Sequence, residues 1–243
     1  MLKLILGRIW ALWGTLWFFI TLLIFAWPIT FTFLIKEPLG IKIFKALSKC
    51  WMTIFLYGIG CRLKISGQHH YNPQKQYVVT ANHQSFLDVP LLTPFFPGPN
   101  KTIAKKSLSR IPLFGWVYTR GSVLVDRSND TSRKRSFDAM KKVLLQENLN
   151  MAVYPEGTRN RTGQPLKSFY DGAFRLAVDC RKDIMPVVIL NTAKALPPSK
   201  LFYLWPTTLY MHILPAVSAE NKTTAALKQE VFQQMWDFID ARS

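Results

Sequence analysis

Between Ile9 and Ile35 the chain carries no charged residue. As a helix, that stretch would be about 40 Å long, more than the roughly 30 Å hydrocarbon core of a bilayer. Trp10, Trp13, Trp17, Phe18, Phe19, Phe25 and Trp27 fall within it. Lys3 and Arg8 precede it, and Lys36, Lys42, Lys45 and Lys49 follow, diluted by Glu37. A cleaved signal peptide has a shorter apolar region ending in small residues, whereas this run ends in Phe33, Leu34 and Ile35. Pro28 is expected to kink or end a helix. A second apolar stretch runs from Cys50 to Gly60. Two apolar helices with a basic connection make an N-terminal membrane-associated hairpin, which either spans the bilayer or lies shallowly in one leaflet. Positive charge on both sides of the first run gives no orientation, and the Trp content favours an interfacial position for part of it.

After Gly60 the texture changes to short apolar runs separated by polar turns, so the chain divides at residues 1–60 and 61–243. Tyr77–Ala81, Ser122–Val125, Met151–Tyr154, Ile184–Leu190 and Leu209–Leu214 read as strands. Phe137, Met140, Val143 and Leu144 recur at helical spacing, as do Ala173, Phe174, Ala177 and Val178, and Leu227, Val231, Met235, Phe238 and Ile239. This alternation predicts an α/β fold: a mixed, mostly buried sheet flanked by helices.

The formal charge of +17 implies an anionic partner: nucleic acid, an anionic membrane surface or an acidic small substrate. No nucleic-acid-binding motif is present, and the aromatics cluster in the apolar segment and not in the basic stretch. The three cysteines, Cys50, Cys61 and Cys180, show no Cys-x-x-Cys pair or His/Cys cluster. They argue against a disulfide scaffold or a structural zinc site, fit a reducing compartment, and read as packing residues.

Chemistry concentrates in three blocks, each after a strand. In Asn82–Asp88, His83 and Asp88 stand five apart, too far round to share a helix face. They meet if His83 sits on the strand-to-helix turn and Asp88 reaches back from the new helix. Asp88 would then fix the imidazole tautomer, leaving the other ring nitrogen to take a proton from a hydroxyl. Taken alone, the pair is equally a turn histidine and a capping aspartate. In Tyr154–Arg159, Gly157 permits a tight turn, Arg159 offers a planar fork suited to phosphate, and Glu156 could bind a substrate hydroxyl or hold Arg159. The third block, Gly121–Arg127, lies in a stretch from Pro99 to Lys142 with eleven Lys or Arg and three Asp. There Lys105 and Arg127 are the phosphate candidates, and Arg133, Lys134 and Arg135 read as a solvated face. Ser85, beside His83, lacks the surroundings of a nucleophilic serine.

Together these blocks, with Met185-Pro186-Val187-Val188, resemble the lysophosphatidic acid acyltransferase family of the glycerolipid acyltransferases, in motif order and spacing, over residues 60 to 215. The resemblance implies transfer of a long-chain acyl group from an acyl thioester to the sn-2 hydroxyl of 1-acyl-glycerol-3-phosphate. The product would be phosphatidic acid, made in phospholipid biosynthesis. It implies His83 as general base with Asp88 as its partner. Arg159, Arg127 and Lys105 would bind the acceptor's phosphate, with Glu156, Gly157 and Thr158 shaping the site. The resemblance further implies acyl-CoA or an acyl carrier protein as co-substrate, with no metal, no cofactor and no acyl-enzyme. Oxyanion donors are expected among the backbone N–H groups after His83. Residues 61–243 are then the catalytic domain, on the cytoplasmic side of a membrane reached through the hairpin. One departure stands out: Asp171 precedes Gly172 where many members carry Lys-Gly, and the lysine lies earlier, at Lys167. An acid near a phosphate site leaves room for another acceptor, a lyso-ornithine lipid or a head-grouped lysophospholipid. A thioester hydrolase would share the His-Asp chemistry, and a non-catalytic basic membrane-tethered binding protein would share the charge.

Overall fold

A computed structural model of the chain describes residues 1–125 and 130–242. Helices α1 (Leu2–Phe31) and α2 (Leu39–Gly58) come first, then β1 (Arg62–Ser66), β2 (Val78–Ala81), α3 (Asp88–Phe95), β3 (Asn100–Lys105), α4 (Phe114–Arg120) and β4 (Ser122–Val125). They are followed by α5 (Asp130–Leu145), β5 (Asn150–Val153), α6 (Gly172–Cys180), β6 (Ile184–Leu190), α7 (Thr192–Ala195), β7 (Thr208–Ile213) and α8 (Thr224–Asp240).

The strands form one seven-stranded sheet in the order β1-β7-β6-β2-β5-β3-β4, and β7 runs antiparallel to β6. The mixed α/β architecture is the one the alternation predicts. β2 lies between β5 and β6, parallel to both, and every residue of β2 is buried. A strand covered on both faces reads as a continuous apolar run, as Val78–Ala81 does. β1, at the edge, alternates exposed and half-buried residues. One consequence of this topology governs the site. β2, β5, β3 and β4 are parallel neighbours, so the segments leaving their C-terminal ends collect along one edge of the sheet. Thr80 pairs with Val153, which aligns the turn after β2 with the turn after β5.

Helix α6 contacts both α5 and α8, and all three contact the sheet, while α1 to α4 form a second contacting group. The buried apolar residues of α1 and α2 belong to the same cluster as the sheet. The two helices run antiparallel and touch along their lengths. Trp10 Nε1 donates to the Ile59 carbonyl at 3.0 Å, Trp13 Nε1 to Gly58 at 2.8 Å and Trp17 Nε1 to Ile54 at 3.3 Å. The last carbonyls of a helix lack partners within it, and the indoles of Trp10 and Trp13 reach the carbonyls at the end of α2. Gly58 is required by this packing, because a Cβ there would sit 1.9 Å from the Trp17 indole nitrogen.

α1 also leans on the rest of the molecule from end to end. Leu204 N donates to Gly7 O at 3.0 Å, Phe18 meets Phe114 with ring centroids 6.3 Å apart, and Trp27 meets Trp116 at 6.0 Å. Beyond α1, Arg120 fixes the turn: its guanidinium donates to Glu37 Oε1 at 2.6 Å, to Thr32 Oγ1 at 3.0 Å and to Thr32 O at 3.2 Å. Among the described residues one helical stretch, Leu2–Leu34, is long and apolar enough to cross a membrane. Its outward side remains exposed at Leu12, Trp13, Leu16, Phe19, Leu23, Ile24 and Trp27.

The structure differs from the sequence expectation at several points. α1 continues past Pro28 to Phe31 because that proline lies on the exposed side near the helix end, while Ala26 and Ile29 beside it are fully buried and hold the last turn. α2 begins at Leu39 and takes in the lysines that read as a connection. β1 and β3 are strands with no counterpart in the apolar runs, because partners across the ladder, and not their own hydrophobicity, hold them. Cys50 is exposed on α2 and not a packing residue, unlike buried Cys61 and Cys180.

Candidate active site

The turn after β2 carries His83. Asn82 anchors it: its side chain donates to Ile189 O at 2.8 Å and accepts from Ile189 N at 2.7 Å, tying the end of β2 to β6. The main chain of His83 is gripped on both sides by the segment after β5. Its N–H donates to Glu156 Oε1 at 2.7 Å, and its carbonyl accepts from Asn160 N at 2.6 Å.

α3 starts at Asp88, which is 1% exposed and reaches back over the turn. Its Oδ2 lies 2.8 Å from His83 Nδ1 and accepts from the amides of Gln84 at 2.6 Å and Ser85 at 2.7 Å. A carboxylate that already accepts from two backbone amides binds the Nδ1–H tautomer of the ring, leaving Nε2 as a proton acceptor. Those amides are thereby spent, so the oxyanion donors expected immediately after His83 do not come from Gln84 or Ser85. Ser85 is fully buried and its hydroxyl donates to Leu196 O at 2.9 Å, which leaves it no path to a substrate.

The second block is a tight turn in which Gly157 adopts φ +70° and donates to Tyr154 O at 3.0 Å. A left-handed backbone is tolerated by glycine and strained for other residues. Glu156 is fully buried. Its oxygens accept from the main-chain N–H groups of His83 and, at 3.0 Å, Lys167, and not from Arg159 as the sequence allowed. Burial pushes its carboxyl up to about 7, against the pull of those two donors. Glu156 therefore braces the turn from behind. The Arg159 guanidinium lies 3.7 Å from the ring centroid of Phe86, a stacked cation–π geometry. The side chain of Lys167 donates to Thr158 Oγ1 at 2.7 Å.

His83 opens onto a cavity of about 1270 Å³. Lys105, Gly157 and Thr158 share its wall, together with Lys106 and Arg110 from the turn after β3, which sequence reasoning passed over. Phe86 also lines it. Arg127 lies outside the described residues. Much of the remaining wall is apolar, and the first two helices contribute Phe18, Leu22, Phe44, Trp51 and Phe55 to it. No motif pointed to these residues; their only signal was the apolar run itself. Asp171 is not part of the wall and pairs with Lys228 on α8 at 2.6 Å. His69 and His70 lie on a surface turn, Gln68–His70.

Comparison with known proteins gives a family and a fold. A sequence model described as "Acyltransferase" matches residues 62–190. A 1-acyl-sn-glycerol-3-phosphate acyltransferase of Saccharomyces cerevisiae is 33% identical over 200 residues, covering 79% of this chain and 64% of that protein. The alpha enzyme of that name from Mus musculus is 32% identical over 170 residues, covering 70% and 59%. The chain thus spans between about half and two thirds of the length of these curated relatives. The crystal structure of the 1-acyl-sn-glycerophosphate acyltransferase PlsC from Thermotoga maritima superposes with a TM-score of 0.83, covering 98% of this chain and 96% of that one at 20% identity, a likeness of fold.

Proposed function

Because the chain belongs to the acyltransferase family, we propose that it transfers a long-chain acyl group from an acyl thioester to the sn-2 hydroxyl of 1-acyl-glycerol-3-phosphate, giving phosphatidic acid. The observation that carries this reading is one imidazole, locked by Asp88 at Nδ1, on the wall of a large cavity that also bears Lys105, Lys106 and Arg110. Pockets for drug-sized ligands run to roughly 300–1,000 Å³. This one exceeds that range, as room for two lipid-like substrates requires.

In the proposed step His83 Nε2 removes the proton of the acceptor hydroxyl as its oxygen attacks the thioester carbonyl. Asp88 stabilises the imidazolium that forms. Collapse of the tetrahedral adduct breaks the C–S bond, and His83 returns the proton to the departing sulfur. General base assistance of this kind contributes about 10²–10⁴-fold; positioning of two amphiphiles supplies much of the rest. Cations at the wall suit the phosphate of the acceptor. Asp171, turned to Lys228, no longer argues for an acceptor without one. Coenzyme A or acyl carrier protein delivers the acyl group.

Membrane attachment follows from the exposed apolar side of α1. A helix touched at Gly7, Phe18, Trp27 and its C-terminal turn by one folded domain cannot stand across a bilayer without drawing that domain in. We therefore place α1 along the surface of one leaflet, with the cavity opening toward lipid and the catalytic domain in the cytoplasm, on the side that supplies thioester.

The test is product analysis by mass spectrometry after incubating the purified full chain with lysophosphatidic acid and either donor, beside lyso-ornithine lipid and head-grouped lysophospholipids. Phosphatidic acid as the main product is expected. Free fatty acid as the main product would make the protein a hydrolase, and preference for another lysolipid would move the acceptor.

A further inference from the structure

Two polar atoms beside the catalytic turn are sealed from solvent and without a partner. Asp88 spends Oδ2 on three donors, yet its Oδ1 accepts nothing. Tyr154 Oη, just beyond β5, also has no partner. The Tyr154 ring packs with its centroid 4.6 Å from that of His83, and His83 is bonded to Asp88, so the two residues flank one imidazole. They are complementary: a phenol donates, whereas an ionised carboxylate oxygen only accepts. Buried polar groups left unpaired are costly, and ordered water commonly joins such pairs. Burial first, and the charge of Asp88 second, hold the Tyr154 phenol well above its ordinary range, so it remains a proton donor at any working pH.

We propose that Tyr154 is a positioning residue of the His83–Asp88 pair, its hydroxyl donating to Asp88 Oδ1 through one buried water. This fourth hydrogen bond shares the carboxylate's charge between the ring and the phenol. Without it Asp88 holds the protonated ring more tightly, and His83 keeps its proton to higher pH. The catalytic consequence rests on His83 being the base, as the acyltransferase reading has it; the structural claim does not.

Other groups act on the same ring. Glu156, which titrates near 7, accepts from the His83 amide, the charge of Arg159 acts on Asp88, and Lys105, Lys106 and Arg110 share the cavity wall. They remain in place when Tyr154 alone is changed, so comparison with the wild type isolates the phenol.

The experiment follows the His83 ring by NMR across pH in the ¹⁵N-histidine-labelled full chain, with His83→Ala to assign it among the four histidines. The acid limb of kcat/KM is measured on the same variants. Tyr154→Phe keeps the ring and removes the donor, and both the titration midpoint and the acid limb are expected to rise by about one pH unit. Tyr154→3-fluorotyrosine, a stronger donor of the same shape, should move both downward and covers the case in which the phenylalanine variant folds poorly. A moved midpoint with an unmoved rate profile supports the hydrogen bond and removes His83 as the base. A midpoint within about 0.2 pH unit of wild type in both variants overturns the proposal.

Discussion

The polar wall of the cavity hangs from the ends of parallel strands, whereas part of its apolar wall is a pair of helices laid against the domain. The first is fixed mainly through the backbone. His83 is held by its own N–H and carbonyl, Asp88 by two amides, Glu156 by two more. The second is fixed by side chains: three indoles on α2 carbonyls and Arg120 on the interhelical turn. A wall built from main-chain hydrogen bonds has one geometry, which suits proton transfer. A wall built from apolar side chains adapts to what fills it, which suits an acyl chain. The difference predicts that damage on each side is read by a different measurement.

The largest effect is expected at the polar wall. His83→Ala should lower kcat/KM by about 10²–10⁴-fold, with a thermal midpoint close to wild type, because the ring is partly exposed and its backbone contacts survive. A retained rate would break the comparison, since the wall would then have no chemistry to position.

Next is Glu156. Its carboxyl sits near 7 in the folded chain, above its ordinary value, so the folded state holds the extra proton. Stability is therefore full below about pH 4.5 and is lost as pH climbs through 7, by about 3 kcal/mol in all. Urea unfolding at pH 5 and pH 8 should show this fall in the wild type. Glu156→Gln, unable to ionise, should be less stable at pH 5 because one amide loses its acceptor, but should show little fall between the two pH values.

The smallest is at the apolar wall. Arg120→Ala removes the clamp on Glu37 and Thr32, and should cost about 2 kcal/mol, lowering the thermal midpoint by roughly 4–8 °C. The His83 titration should not move. If it did, the two walls would be coupled and the distinction between them would fail.

Much of this was legible beforehand. β2 and β6 are continuous apolar runs because both faces are covered, and such runs announce themselves. β3 was not: Asn100–Lys105 has two lysines and one isoleucine, and becomes a strand by lying between β5 and β4. The motif residues could be named, but their division of labour could not. Glu156 resembled a substrate ligand and is a buried brace. Gln84 and Ser85 offered amides for an oxyanion and give them to Asp88. Tyr154 and Phe86 drew no notice because nothing local marks an aromatic that meets a distant ring.

The sequence by itself determined the apolar helical run, the alternation of strands and helices, and the order of three chemical blocks, since each is a property of neighbours along the chain. Only the tertiary structure decided that residue 83 is held by residues 156 and 160, and that α1 lines the cavity. Those meetings depend on the register of β2 against β5 and on the packing of α1 along the domain, and contacts between residues some seventy or more positions apart leave no periodicity to read.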